Sequence, residues 1–357
     1  MTIPVIDLSP LWNSSSDGLS KVAQAFTCAF QEMGCAYITN HRVPQSVIDE
    51  AFAQNRRFHA LPLEEKNKIR LNQWQRGYFP LASYQLKSET SKDVLVEDVK
   101  DSVKAPDQNE SFVMGHEHLE GPPDLKEEDL FNRYLQGPNQ WPHGMPDFRE
   151  ATLTYYHALK KLALELTKVF FAASETDFNR FAPHFQQPSI EQYMLHYPPQ
   201  PSPVPEGVFG IAAHCDVGFI TILSQDDVDA LEIKTPSGEW ITASNMITSN
   251  GESAFLINLG NIASMWTNGC LRAIPHRVIN RSSRHRYSIA FFWRPQLDLV
   301  IDTRDMGTRW CPADKKPNYE PHIIGQYLQN VYSHAYTELY ATIDGASGKD
   351  NHNLKKD

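Results

Sequence analysis

Apolar positions along the chain change period more than once. After Ser14-Ser15-Ser16-Asp17-Gly18, residues Leu19, Val22, Phe26, Phe30 and Met33 recur at spacings of three and four. That spacing predicts one face of an amphipathic helix, opened by the Ser/Asp cluster and stopped at Gly34. A second helix is predicted over about 45–60. From 81 to 128 the chain is polar, mixed in charge and broken by Pro106, Pro122 and Pro123. It reads as loop with at most a short strand, and 81–115 is too polar for a core. Helical spacing returns from Asp147 to about Ala173, through Leu153, Tyr156, Leu159, Leu162, Leu166, Val169 and Phe170. From about 188 to 302 the apolar runs become short, with turn residues between them at Pro236-Ser237-Gly238 and Asn268-Gly269. A last helix is predicted over 319–343, and the polar tail Gly345–His352 is expected to be disordered.

Many short antiparallel strands predict a double-stranded β-helix, a small jelly roll. The expected fold class is α+β with a mainly β core: a cupin-like jelly roll braced by helices. The expected layout is an N-terminal α/β region over 1–120 and bracing helices over 121–187. The jelly-roll core then spans 188–302, and a C-terminal helix and tail fill 303–357.

The 357 residues suffice for a large core, as one domain or two intimately joined parts. No apolar run approaches the roughly 20 residues that cross a bilayer. The N-terminus opens directly on a strand, so no signal peptide is expected. Five cysteines, at 28, 35, 215, 270 and 311, are odd in number and scattered. They argue for a reducing compartment, taken as the cytoplasm, and against a disulfide framework. A net charge of −10 without a dense basic stripe argues against nucleic acid as partner.

His214-Cys215-Asp216 is an H-x-D triplet, and His276 follows sixty positions after Asp216. The segment Ile211–Leu223 has a strand-like composition, in which residues i and i+2 share a face. One imidazole and one carboxylate then project together, and His276 from a distant strand completes a 2-His-1-carboxylate face. Such a face leaves cis positions open on a metal, as in non-haem Fe(II) oxygenases. H-x-D alone is weak evidence in a chain with 14 His. The segment after His276 strengthens it. His276–Asn280 reads as a strand, Arg281–His285 as a turn and Arg286–Trp293 as the returning strand of a hairpin. Arg286 and Ser288 share a face there, a fork plus a hydroxyl suited to a carboxylate. Metal, open sites and a carboxylate anchor are what a 2-oxoglutarate-dependent oxygenase needs.

The order of further motifs resembles one family. Ile3-Pro4-Val5-Ile6-Asp7-Leu8, Gly34-Cys35-Ala36-Tyr37-Ile38-Thr39-Asn40-His41, Arg76-Gly77-Tyr78 and Asn139-Gln140-Trp141-Pro142 come first. Tyr197-Pro198, Ser224-Gln225-Asp226-Asp227-Val228 and Leu256-Ile257-Asn258-Leu259-Gly260 follow. From about residue 3 to 300 the chain is similar to the isopenicillin N synthase-like group of Fe(II)/2-oxoglutarate dioxygenases. The resemblance implies iron on His214, Asp216 and His276. It implies 2-oxoglutarate as co-substrate, held by Arg286, Ser288 and Tyr197, with O2 as oxidant and ascorbate as reductant. It further implies a monomer that hydroxylates or desaturates a small organic molecule of secondary metabolism, releasing succinate and CO2. In related folds 81–115 and 319–343 flank the barrel mouth, so parts of both are expected to form a lid.

Departures are Arg42 for the usual Gly, Asp229-Ala230 for Gly-Gly, Asn261 for Asp and Leu195 for Asn. None touches the iron triad. Relatives of the isopenicillin N synthase and aminocyclopropane-carboxylate oxidase type keep R-x-S but do without 2-oxoglutarate, so an enzyme of that type stays open. A non-catalytic jelly-roll binding protein is the alternative outside enzymes. His116-Glu117-His118 is read as an exposed polar loop, Cys215 as core, and Trp266, Phe291 and Trp293 as mostly packing. Tyr193 and His196 are given no role.

Overall fold

The computed structural model describes residues 2–13, 16–72, 74–83, 103–117 and 137–335. Strand β1 (Val5–Asp7) and helix α1 (Ser9–Trp12) lead into α2 (Gly18–Glu32), β2 (Cys35–Thr39), α3 (Gln45–His59) and α4 (Leu63–Asn67). Then come β3 (Gly77–Phe79), β4 (Glu110–Gly115) and α5 (Pro146–Ala173). The second half is mostly strand: β5 (Ser189–Tyr197), β6 (Ile211–His214), β7 (Ile220–Gln225), β8 (Leu231–Lys234), β9 (Trp240–Thr242) and β10 (Phe255–Leu259). After α6 (Asn261–Trp266) follow β11 (His276–Val278), β12 (Arg286–Arg294), β13 (Val300–Ile301), β14 (His322–Ile323) and α7 (Ile324–Ala335).

Eight strands form one sheet in the order β1-β2-β10-β7-β12-β5-β4-β3, and four form a second in the order β6-β11-β8-β9. Among the described strands, β1 and β2 pair in parallel and the other paired strands of these sheets run antiparallel. Strands from the first 120 residues therefore extend both edges of the large sheet. Its strands alternate Val, Ile and aromatic side chains between two faces. The outer face packs under α5, whose Tyr155, Leu159, Leu162, Leu166, Val169 and Phe170 are fully buried or nearly so. Each such side chain contributes roughly 2 kcal/mol by leaving water. The inner face meets the small sheet across Leu195, Tyr197, Leu231, Ile233, Val278 and Ala290.

The helices stand where spacing predicts them, at Gly18–Glu32, Gln45–His59 and Pro146–Ala173. The last begins at Ile324, later than 319. Gly34 ends the first of them with φ +86°, a left-handed conformation that glycine adopts without strain. Three expectations are corrected. Ile211–Leu223 is two strands in two sheets, because the chain breaks at Cys215–Phe219 and crosses from one sheet to the other. His276–Val278 and Arg286–Arg294 are not a hairpin. β11 pairs with β6 and β8, while β12 pairs with β5 and β7, so the turn between them joins opposite sheets. Finally, the short strand allowed for in the polar stretch is Glu110–Gly115, and it is wholly buried and interior, which corrects the expectation that 81–115 is too polar for a core. Its polar members are satisfied inside, which composition alone does not reveal. Residues 84–102, 118–136 and the tail Gly345–His352 lie outside the described residues.

Candidate active site

β6 ends at His214, and the next residues turn toward the large sheet. Backbone bonds pin this turn to the start of α6. The Asn261 amide donates to the Asp216 carbonyl at 2.7 Å and the Ile262 amide to the Gly218 carbonyl at 3.1 Å. The approach needs glycine, since a β-carbon on Gly260 would sit 2.2 Å from the Gly218 oxygen. Asp216 is thereby set beside His214, and β11, paired to β6 with His276 opposite His214, brings in the second imidazole.

The Nε2 atoms of His214 and His276 each lie 3.7 Å from Asp216 Oδ1. All three donor atoms fall within 4.8 Å of one another. The atoms that point away are tied down. His214 Nδ1 donates to the Ala212 carbonyl at 2.8 Å and His276 Nδ1 to the Ile274 carbonyl at 3.1 Å. Both tautomers are thus set with Nε2 lone pairs facing inward, the arrangement of metal-ligating histidines. Asp216 Oδ2 accepts from Thr221 Oγ1 at 2.5 Å and Asn258 Nδ2 at 2.7 Å, which leaves Oδ1 for the centre. Burial, then the neighbouring His276, pushes His214 down to about 4. Burial alone would raise Asp216. His276, His214 and the two hydrogen bonds outweigh it and hold the carboxyl below its usual range. Two neutral imidazoles and one carboxylate are the donor set for a divalent cation.

The triad faces a cavity of about 180 Å³ between the sheets, which Arg286, Ser288 and Tyr197 also line. Arg286 is 1% exposed. Its Nη2 donates to Gln225 Oε1 at 2.9 Å and its Nη1 lies 3.3 Å from Ser288 Oγ. Its guanidinium stands 4.8 Å from the Tyr197 ring centre. Among the described residues no carboxylate is within ion-pair distance of this cation, and its Nε has no partner. A buried arginine without a counter-ion is costly unless an anionic ligand supplies one.

All six residues singled out by sequence therefore face one cavity. Cys215 packs against Ala213 and burial pushes its thiol up to about 12, but it is only half-buried, which corrects the expectation that it is a core residue. It also touches the cavity wall. Trp266, Phe291 and Trp293 are core; the residue that lines the cavity is Phe292. Glu117 of the 116–118 segment is ion-paired to Arg149 and binds Asn139 at 2.6 Å. Sequence reasoning missed Thr221, Asn258 and Gln225. Their signal was a polar side chain inside an apolar run, which in a buried strand demands a partner. His196 also has a place. On the outer face, behind Arg286, it meets Glu110 at 2.8 Å, together with His59 and Lys66. This second His/Glu cluster already holds a cation: Lys66 Nζ lies 2.8 Å from Glu110 Oε2.

Residues 3–144 match the family described as non-haem dioxygenase in morphine synthesis N-terminal, and residues 185–295 match the 2OG-Fe(II) oxygenase superfamily. The chain is 33% identical over 340 residues to the 2-oxoglutarate-Fe(II) type oxidoreductase hxnY of Emericella nidulans, covering 93% of this chain and 90% of that one. It is 32% identical over 336 residues to the 2-oxoglutarate-dependent dioxygenase citB of Monascus ruber, covering 90% and 93%. Among solved structures, a 2OG-Fe(II) oxygenase family protein of Caulobacter crescentus superposes with TM-score 0.72 at 25% identity, covering 93% and 99%. The dioxygenase for auxin oxidation in rice superposes with TM-score 0.65 at 21% identity, covering 93% and 96%, and supports the fold alone. With a jelly roll, an inward His/Asp/His face and relatives matched over nearly their whole length, the chain belongs to the 2OG-Fe(II) oxygenase superfamily, for which Fe(II), 2-oxoglutarate and O2 are the standard requirements.

Proposed function

We propose that the inter-sheet cavity is the active site of a 2-oxoglutarate-dependent dioxygenase acting on a small organic molecule. His214, Asp216 and His276 bind Fe(II), and Arg286, Ser288 and Tyr197 bind the distal carboxylate of 2-oxoglutarate. The observation that carries this reading is the buried Arg286, without a carboxylate partner among the described residues, in the same cavity as the three converging donors. Fe(II), when bound, supplies the redox chemistry that couples decarboxylation of 2-oxoglutarate to oxidation of the substrate by O2. The protein's part is positional. Thr221 and Asn258 orient Asp216, the Ala212 and Ile274 carbonyls orient the imidazoles, and Gln225 aims the Arg286 fork. The apolar walls Leu223, Leu231, Leu256 and Ile274 exclude water. Tyr332 and Val331 of α7 close one side, which supports a covering role for the C-terminal helix.

The same reading places the enzyme in the cytoplasm as a monomer that does not bind nucleic acid. Five unpaired cysteines and the net charge of −10 support it. No helix among the described residues is long and apolar enough to cross a membrane.

The test measures iron content, succinate release and the 2-oxoglutarate KM. His276→Ala should lose iron. Arg286→Lys keeps the charge but loses the bidentate fork, and should raise the 2-oxoglutarate KM at least about tenfold. An unchanged KM would assign Arg286 to the substrate instead of the co-substrate.

A further inference from the structure

Helix α7 is held differently at its two ends. Its start is rooted in the core. Ile324 and Leu328 are fully buried, and the Ile324 and Gly325 amides donate to the Leu299 and Leu297 carbonyls at 3.0 and 2.7 Å. Further along, Val331 and Tyr332 are only half-buried, and both line the inter-sheet cavity. There a side chain ties the helix to the large sheet. Arg294 Nη2 donates to the Tyr332 hydroxyl at 3.0 Å, and that hydroxyl donates to Glu191 Oε2 at 3.3 Å. Glu191 on β5 and Arg294 on β12 are themselves ion-paired and 1% exposed. The hydroxyl therefore meets a dry, fixed anchor on the two strands that also carry Tyr197 and Arg286.

Two features make this tie releasable. Arg294 Nη2 bonds Glu191 Oε2 directly, so withdrawing the hydroxyl leaves the ion pair intact and bares neither charge. What opening surrenders is the bonding of a neutral hydroxyl, which water can then satisfy. The cavity also calls for an opening. Its volume of about 180 Å³ falls below the roughly 300–1,000 Å³ of pockets that take drug-sized ligands. The oxygenase reading requires co-substrate and substrate in it together, so a wall has to move. Strands β5, β7, β10 and β12 are fixed by ladder hydrogen bonds on both sides. The far end of α7 is held to them by side chains and is the less buried end of its helix, and such segments open first.

We propose that Tyr332 is a positioning residue that latches a gate: its hydroxyl holds the far end of α7 against Glu191 and Arg294, and the helix swings about its buried start to admit substrate. Arg286 stands at the opposite end of β12 from Arg294, so the latch acts away from the co-substrate anchor. This deepens the oxygenase reading, because it concerns entry to the same cavity, and rests on it.

The test compares wild type with Tyr332→Phe, which keeps the ring and removes only the hydroxyl. Hydrogen exchange of residues 329–335 should quicken at least about tenfold, the loss expected for hydrogen bonds to charged groups, while β5 and β12 keep wild-type protection. Unchanged exchange in 329–335 overturns the latch. Faster exchange in β5 and β12 as well also overturns it, because Tyr332 would then be general packing. A second readout separates a gate from a frayed helix. Cys35 is 0% exposed and lines the cavity, so N-ethylmaleimide reaches it only when a wall opens. Its labelling, followed by peptide mass spectrometry, should quicken along with the exchange, while the exposed Cys28 labels at the wild-type rate. Faster exchange with unchanged Cys35 labelling would make Tyr332 a helix staple and overturns the proposal. The 2-oxoglutarate Kd, from anaerobic calorimetry, should stay within about twofold of wild type; a larger change would put Tyr332 in contact with the co-substrate and likewise overturns it. Exchange and labelling are measured with and without Fe(II) and 2-oxoglutarate. The arm without them judges the latch even if the wild type fails to bind 2-oxoglutarate, which would count against the oxygenase reading alone.

Discussion

Asn258 decides the orientation of Asp216 although it touches nothing else at the centre that has been described. Its amide and the Thr221 hydroxyl occupy Oδ2, so only Oδ1 is presented inward. Asn258→Ala should therefore keep the three donors but loosen their geometry, weakening Fe(II) affinity about 10- to 100-fold. A metal titration reading wild-type affinity would show that Asp216 is held by the backbone turn alone. Arg42 illustrates a different effect. It stands at φ +62°, where the family usually has glycine, and its guanidinium lies 4.9 Å from the Trp12 ring centre. The left-handed backbone costs a side chain about 1 kcal/mol, and an exposed cation–π contact returns about 0.5–1 kcal/mol. Arg42→Ala keeps the strain and loses the contact, whereas Arg42→Gly removes the strain. Chemical denaturation should rank glycine above alanine by about 1 kcal/mol; equal stabilities would mean the backbone relaxes.

Strand β4 carries charge through the interior of the large sheet. Burial would raise the pKa of Glu110, but hydrogen bonds from His196 and Lys66 hold its carboxyl far below the usual range. Burial keeps His59 neutral, so Lys66 from the end of α4 provides the balancing charge. The cluster ties α3 and α4 to β4 and β5, and His196 stacks on Tyr287, the residue that follows Arg286. Glu110→Gln would leave Lys66 buried without its counter-ion and should destabilise the fold by about 3 kcal/mol. A denaturation midpoint within about 0.5 kcal/mol of wild type would mean that water reaches Lys66. Any loss of 2-oxoglutarate affinity in this variant would report on β5 and β12, since Glu110 faces away from the cavity.

Two sheets closing on one cavity leave several histidines dry, and this gives the molecule a pH signature. Burial lowers both His41 and His59 from the ordinary value of 6.5. Below that pH the unfolded chain takes up protons that these folded groups still refuse. Stability is therefore full above about 6.5 and is lost as the pH falls toward the folded values, by at most about 1.4 kcal/mol per pH unit per group. Urea unfolding of metal-free protein at pH 7.5 and 5.5 should give the lower stability at 5.5. Equal or higher stability at 5.5 would place both imidazoles in contact with solvent.

The amphipathic helices, the strand-rich second half and all six cavity residues were legible in the sequence. Helical spacing and i, i+2 alternation are local properties, and H-x-D with a distant His and R-x-S carries its own chemistry. Arg294 was legible in part, since it continues the same alternation as Arg286 and Ser288. Its partner Glu191 was not, because cross-strand register joins residues 103 positions apart. Nor could spacing show that Ile211–Leu223 breaks between sheets, that the segment after His276 crosses to the opposite sheet, or that Glu110–Gly115 is interior. A strand looks the same whichever neighbour it pairs with, and a polar strand looks like a loop until its partners are known. The sequence alone determined which side chains could bind a metal and an acid. Tertiary structure decided which atoms of those side chains are free to do so, through the hydrogen bonds that occupy the others.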